Sequence, residues 1–112
     1  MRTIPTFSDF KAGPGGHMAG RLGVQIDQCE TWQDFGVACR HANRGAKFTD
    51  KAVKMGGVLS SGEVSVLCAL LHAADYSSVA DSIASDGTWY RLSRTIGPHG
   101  EAVLACIAMV DG

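Results

Sequence analysis

The chain has 112 residues, of which 46% are hydrophobic and 19% are charged, and its formal net charge is −1. This length fits one domain, and the composition excludes a disordered or fibrous protein. The balanced charge excludes a DNA mimic covered in carboxylates and a protein with a generally basic coat for nucleic acid.

Neither membrane insertion nor secretion is expected from the sequence. The longest apolar run covers residues 102–110, whereas a membrane-spanning helix needs about 20 residues. The first thirty residues contain no apolar run long enough for the core of a signal peptide. We therefore expect a soluble, cytoplasmic protein that does not bind membranes.

Residues 1–20 are predicted to form an irregular arm, and residues 21–112 a helical domain. The arm contains two prolines and four glycines, and the run at 12–16 (AGPGG) is not typical of regular structure. Three apolar side chains are expected to attach the arm to the core: Ile4, Phe7 and Phe10.

A short strand is predicted directly after the arm. Leu22, Val24 and Ile26 alternate with Gly23 and Gln25, and this period of two is typical of a half-buried strand. An isolated strand is not stable, so this element requires a partner.

The first strong helix signal covers residues 31–44. Thr31 and Asp34 have the spacing of a capping box, and Gly45 lies where a C-terminal cap is expected. The helix carries one apolar stripe, which consists of Trp32, Phe35, Cys39 and Ala42. A short second helix is predicted over residues 49–55, ending at a glycine pair.

Ser60 and Glu63 form the clearest capping box in the chain, and a helix over residues 64–74 is predicted behind it. This helix is apolar on nearly every face, which is typical of the centre of a domain.

Further helices are predicted over residues 78–84, 89–96 and 100–110. Ser78 and Asp81 repeat the capping spacing, and Pro98 suits the first turn of the last helix. The sequence therefore predicts a mainly α, compact single-domain bundle of about five short helices, with the last one packed on the central helix.

Charge is unevenly distributed, with eight basic and five acidic residues in 1–56 but two basic and six acidic in 57–112. Five basic residues recur at spacings of 4, 3, 4 and 3, namely Arg40, Arg44, Lys47, Lys51 and Lys54. On one helix they would share a face that binds an acidic protein surface or phosphates. A solvated face explains the same spacing. Gly45 and residues 49–50 are expected to break the helix and bend this line.

Residues 77–96 offer an alternative site, a helix-turn-helix with Arg91 and Arg94 on its second helix. Arginine binds base edges and phosphates. However, the turn at 85–87 lacks the expected apolar residue after its glycine, and the surrounding half is acidic. Tyr90 and both arginines are therefore also candidates for a protein-binding surface, with Tyr90 as an aromatic anchor.

The sequence indicates no cofactor, metal site or catalytic site. Cys68 and His72 have helical spacing, and Cys39 and His41 lie two apart, but structural zinc needs two closely spaced pairs. The glycines fit no nucleotide-binding motif. The four cysteines are expected to be reduced core residues, with a Cys29–Cys39 disulfide as the alternative.

Two segments carry a family resemblance, namely residues 59–63 (LSSGE) and 97–101 (GPHGE), each followed by an apolar helix. With its short, motif-poor, cysteine-bearing chain, the protein resembles small accessory proteins of bacterial plasmids and phages, in particular anti-CRISPR proteins. The resemblance implies a non-enzymatic inhibitor or adaptor that blocks a large host complex, such as a CRISPR effector, by steric occlusion. Many anti-CRISPR proteins are strongly acidic, whereas this balanced chain favours a docking surface of mixed charge. A small DNA-binding regulator is the alternative function, and a homodimer through excess apolar helix surface stays open.

Overall fold

The computed structural model describes residues 4–84 and 97–111, and within these ranges the chain forms seven α-helices. Their bounds are α1 (Phe7–Ala12), α2 (Pro14–Arg21), α3 (Trp32–Ala42), α4 (Lys47–Gly56), α5 (Ser61–Ala73), α6 (Ser77–Ile83) and α7 (Gly97–Ala108). Short 3-10 turns at Ile26–Gln28 and Arg44–Ala46 precede α3 and α4. The protein is a mainly α single domain, as predicted, although it has more helices than the five or so expected.

The central helix is α5, and its start is the predicted capping box. The Ser60 Oγ accepts from the Glu63 backbone N–H at 3.3 Å, and the Glu63 carboxylate accepts from the Ser60 N–H at 3.1 Å. Eight consecutive residues of α5, 64–71, are buried. As predicted, α7 is its most extensive packing partner, and α6 and α2 cover further faces.

The predicted irregular arm is wrong, because its described part forms α1 and α2. Thr6 and Asp9 make a capping box at the start of α1, and Pro14 takes the first position of α2, where its missing N–H costs nothing. A Cβ at Gly15 would overlap the Phe10 ring, and a Cβ at Gly16 would overlap the carbonyl of the preceding helix. The two glycines thus permit a tight corner between helices instead of disrupting them.

The predicted strand at residues 22–26 is also wrong. Leu22 ends α2, Gly23 adopts a left-handed φ of 87°, and the Val24 N–H donates to the Ala19 carbonyl at 3.1 Å. Leu22 and Val24 are nevertheless buried. The alternating apolar pattern of the sequence therefore reflects side chains that are alternately buried and exposed in a turn. Among the described residues, the only β pairing is an isolated bridge between Thr6 and Val110.

An aromatic cluster connects α1 to α3. Its rings lie 4.9–6.0 Å apart between centroids, and its members are Phe7, Phe10, Trp32 and Phe35. The Trp32 indole N–H donates to the Val110 carbonyl at 3.2 Å, and the Trp32 backbone N–H donates to the Asp111 carboxylate at 2.9 Å. The cluster therefore fixes α1, α3 and residues 110–111 to one another.

The remaining helix starts are partly as predicted. Thr31 caps α3 by accepting from the Asp34 N–H at 3.1 Å, although the Asp34 carboxylate accepts from Glu30 rather than Thr31. Ser78 does not cap α6, because α5 ends at Ala73, Asp75 turns the chain with a φ of 73°, and α6 begins directly at Ser77.

Of three other predicted helices, two are present in the structure. The predicted helix at 49–55 is α4, and the one at 100–110 is α7, with its proline in the first turn. The helix predicted at 89–96 lies outside the described residues. No described helix has the length and apolar character needed to cross a bilayer.

Glu63 gives the fold a testable pH dependence. Hydrogen bonds with Ser60, together with the Arg21 guanidinium 3.6 Å away, hold the pKa of Glu63 below its ordinary value. The ionised cap therefore stabilises the fold above the unfolded pKa of about 4.3, and this contribution disappears as the pH falls through the folded pKa. We expect Glu63→Gln to lower the Tm at neutral pH but not in strong acid, as followed by circular dichroism. Glu30→Gln, at an exposed residue, is the control, and a Tm difference independent of pH would contradict the assignment.

Candidate docking surface

A sharp bend between α3 and α4 determines where the basic series lies. Gly45 and Ala46 both adopt a left-handed conformation with a φ of 62°. The Asn43 side-chain oxygen accepts from the Thr49 backbone N–H at 3.0 Å and lies 3.1 Å from its hydroxyl. Asn43 thus caps α4 from across the bend, and the direction of the chain changes at 43–46 rather than at residues 49–50, which lie within α4.

The bend divides the basic series into parts. Lys47, Lys51 and Lys54 share one face of α4, because residues at i, i+4 and i+7 lie above one another. Arg44 lies in the bend itself. Arg40 belongs to α3, and its guanidinium turns back along that helix, with Nη1 3.6 Å from the position that a Cβ of Gly36 would occupy. The series is therefore a bent surface, not one continuous stripe.

Apolar contacts hold α4 in place with its lysines facing outward. Phe48 and Ala52 are completely buried, and the Phe48 ring packs on Tyr76 with 5.3 Å between the centroids. All three lysines of the helix are exposed, as are Asp50 and Val53. The exposed side of α4 thus combines cations with one carboxylate and one apolar side chain.

The five cations of the series differ from the other described cations in their contacts. Lys11 donates to the carbonyls of Asp27 and Cys29, at 3.3 and 2.9 Å, and Arg21 pairs with Glu63. Within residues 4–84 and 97–111, no member of the series forms an ion pair or a side-chain hydrogen bond. Lys11 and Arg21 therefore make contacts within the fold, whereas the side chains of the basic series are exposed to solvent. We call these five residues the basic face.

A groove of about 640 Å³ separates α3 from residues 23–29, and we call it the α3 groove. Its α3 wall is a stripe at spacings of 3, 1, 3 and 1, consisting of Asp34, Val37, Ala38, His41 and Ala42. Arg44 lines the same groove, and the Lys51 ammonium lies 3.8 Å from the position that a Cβ of Gly23 would occupy. Sequence analysis missed this groove, although the stripe itself has helical spacing.

The helix-turn-helix predicted at residues 77–96 lies only partly within the described residues. Of the predicted helix-turn-helix at 77–96, the first helix is α6. Its turn and its second helix, with Tyr90, Arg91 and Arg94, lie outside the described residues.

The cysteine and histidine pairs do not form metal sites in the described part of the chain, where no group of three His, Cys, Asp or Glu side chains is placed to hold an ion. Cys68 is buried and donates to the Ala80 carbonyl at 3.7 Å. His72 instead contacts the Ser77 hydroxyl through Nδ1 at 2.9 Å.

His72, Ser77 and Asp81 contain the residue types of a hydrolase triad. However, the Asp81 carboxylate lies 3.8 Å from His72 Nε2, beyond hydrogen-bond distance, and its side chain is 66% exposed. The contact between His72 and Ser77 joins the end of α5 to the start of α6.

All four cysteines are free and buried, as predicted. Burial is the main reason why the pKa of Cys39 is raised to about 12. The neighbouring Cys29 raises this pKa further, and Arg40 lowers it. Burial also raises the pKa values of Cys29 and Cys106. Because the thiolate is the reactive form, we expect these buried thiols to react slowly in the folded protein.

Comparisons with known proteins do not add to this description. No protein-family model, curated protein or solved structure compared with the chain matches it. The surface geometry is therefore the basis for any functional inference.

The bend can be tested through Ala46. A left-handed alanine is strained, so Ala46→Gly should raise the free energy of unfolding by about 0.5–1 kcal/mol, even after the greater flexibility of unfolded glycine is included. Ala38→Gly, within α3, should lower it by about 0.5–1 kcal/mol. Asn43→Ala should lower it by about 1 kcal/mol because α4 loses its cap. Urea unfolding measures all three, and equal effects of the two glycine variants would contradict the assigned conformation.

The thiols can be counted with a chromogenic disulfide reagent. We expect negligible reaction in native protein and four thiols per chain in denaturant, since burial suppresses the thiolate and blocks access. Two thiols in denaturant without reductant would instead support the Cys29–Cys39 disulfide.

Proposed function

We propose that the protein is a non-enzymatic inhibitor or adaptor that docks on a protein partner through the basic face. One observation carries the proposal: the five exposed cations on α3, the bend and α4 make no ion pair or side-chain hydrogen bond among the described residues, whereas Lys11 and Arg21 do. Unpaired charges of one sign steer an oppositely charged partner and raise its association rate.

The composition of the surface favours a protein partner over nucleic acid. Asp50 lies between the lysines of α4, and Val53, on the same helix, is 53% exposed. A carboxylate in this position repels a phosphate backbone, whereas mixed charge around apolar contacts is typical of protein interfaces.

The partner class follows from the resemblance to small proteins of plasmids and phages. We propose a large cytoplasmic host complex, with a CRISPR effector as the specific candidate, and inhibition by steric occlusion. A standard interface buries about 800 Å² per partner, and the protein exposes 6205 Å². Occlusion thus requires only a minor part of its surface.

The test is affinity capture from bacterial lysate, with and without nuclease, using three versions of the tagged protein. Lys47→Gln/Lys54→Gln neutralises the basic face. Ser8→Glu/Ser78→Glu is the matched control, because it changes net charge equally at exposed first-turn positions where acidic side chains are tolerated.

We expect the wild type and the control to capture a defined protein complex that survives nuclease. The lysine variant should bind that complex roughly 2–30-fold more weakly, as expected for two exposed ion pairs, with an unchanged Tm. Equal capture by all three proteins would contradict the basic face. Nucleic acid recovered alone and lost on nuclease treatment would favour a DNA-binding regulator.

A further inference from the structure

We propose that the α3 groove binds a short, extended acidic segment of the protein partner, with an apolar side chain on the groove floor and carboxylates at the Arg44 end. This inference rests on the proposed function, because it names the part of the partner that is recognised. The groove shares Arg44 with the basic face but does not include Lys47 or Lys54, neither of which lines it.

The floor of the groove is an apolar helix face that the fold leaves open. Phe35 and Cys39 carry the buried face of α3, whereas Val37 lies on another side and is 41% exposed. Ala38 and Ala42 are partly exposed and line the groove beside Val37. Two alanines one turn apart leave a depression in which a partner's apolar side chain can lose its contact with water.

The length of the floor limits the size of the bound segment. Residues 34 and 42 are eight positions apart on α3, which corresponds to about 12 Å along the helix axis. About four residues of extended chain span this distance. Gln25 and Gln28 on the opposite wall are exposed, and their amides can both donate to and accept from the backbone of an extended segment.

Charge gives the groove a direction. Arg44 and His41 line one end, and the Lys51 ammonium lies beside Gly23 on the opposite wall. The other end carries Asp34, whose carboxylate accepts from the Glu30 N–H at 3.0 Å. Carboxylates of a bound segment are therefore favoured near Arg44, which can bind them through two parallel hydrogen bonds, and disfavoured near Asp34.

This polarity also argues against a nucleic acid strand in the groove. A phosphate backbone carries charge along its whole length, so it would meet Asp34 at one end and the exposed acids of the neighbouring segment, Asp27 and Glu30. A peptide with carboxylates confined to one end avoids this repulsion.

The experiment selects binders from a displayed library of random twelve-residue peptides, with the full-length protein as bait. Enriched peptides are then synthesised with a fluorophore and titrated by anisotropy against the wild type and three variants. Ala38→Gln fills the floor, and Arg44→Gln removes the cation that lines the groove. Arg21→Gln is the matched control, because it makes the same chemical change on an exposed arginine that lies outside both the groove and the basic face.

We expect enriched peptides to place Asp or Glu within about four positions of a large apolar residue, the extended length that the groove spans. Ala38→Gln and Arg44→Gln should each weaken binding roughly 10–100-fold, and Arg21→Gln less than about twofold. Thermal unfolding of each variant checks that the fold is intact.

Several results would overturn the inference. They are failure to enrich any peptide, enrichment of basic peptides, and equal binding by the Ala38→Gln variant. The oligomeric state of the protein alone, measured by sedimentation, gives a fourth such result. A dimer that dissociates in the Ala38→Gln variant would mean that a second copy of the chain occupies the groove. Because the peptide assay does not involve Lys47 or Lys54, it can fail while the capture experiment succeeds, and the reverse.

Discussion

Burial of eight consecutive residues of α5 is the constraint on which the arrangement of the other helices depends. A helix with eight consecutive buried residues must be covered on every side, and α7, α6, α2 and α4 supply that cover. Each large aliphatic side chain that α5 removes from water contributes about 1.5–3 kcal/mol. Within α5, the one buried polar residue is Ser65, whose hydroxyl donates to the Ser61 carbonyl at 3.2 Å. The covering helices use their apolar faces for this purpose, so their polar faces point outward.

The aromatic cluster decides which part of α3 is left exposed. Trp32 and Phe35 pack on Phe7 and Phe10, and this contact fixes the rotation of α3 about its own axis. Its opposite side, with Val37 and Ala38, then faces residues 23–29 across a gap. The bend at 43–46 continues the chain into α4, and the Lys51 ammonium of that helix lies beside Gly23 at the gap. The positions of the α3 groove and the basic face therefore both depend on how α3 packs against the aromatic residues of α1.

The sequence predicts those parts of the fold that local chemistry determines. Ser60 and Glu63 mark the start of α5 because a capping box involves only neighbouring residues, and the stripe from Trp32 to Cys39 identifies α3 for the same reason. The N-terminal helices were not predictable from composition, because Gly15 and Gly16 favour a loop unless a neighbouring helix leaves no room for a Cβ. The prediction of a strand at residues 22–26 is wrong because alternation of apolar residues alone does not distinguish a strand from a turn whose side chains are alternately buried. For the docking surface, spacing identified the lysines of α4. The α3 groove required its second wall, residues 23–29, and the path of this irregular segment is set by tertiary packing rather than by residue spacing.

The corner between α1 and α2 has a consequence for how this protein diverges. Exposed cations can be exchanged for other side chains at little cost to stability, so the basic face is free to change as partners change. Gly15 and Gly16 have no such freedom, since any Cβ there would overlap Phe10 or the backbone of α1. An aromatic residue followed five positions later by a glycine pair, with a tryptophan at the start of the third helix, is therefore the pattern that distant relatives should retain after their surfaces have lost all similarity.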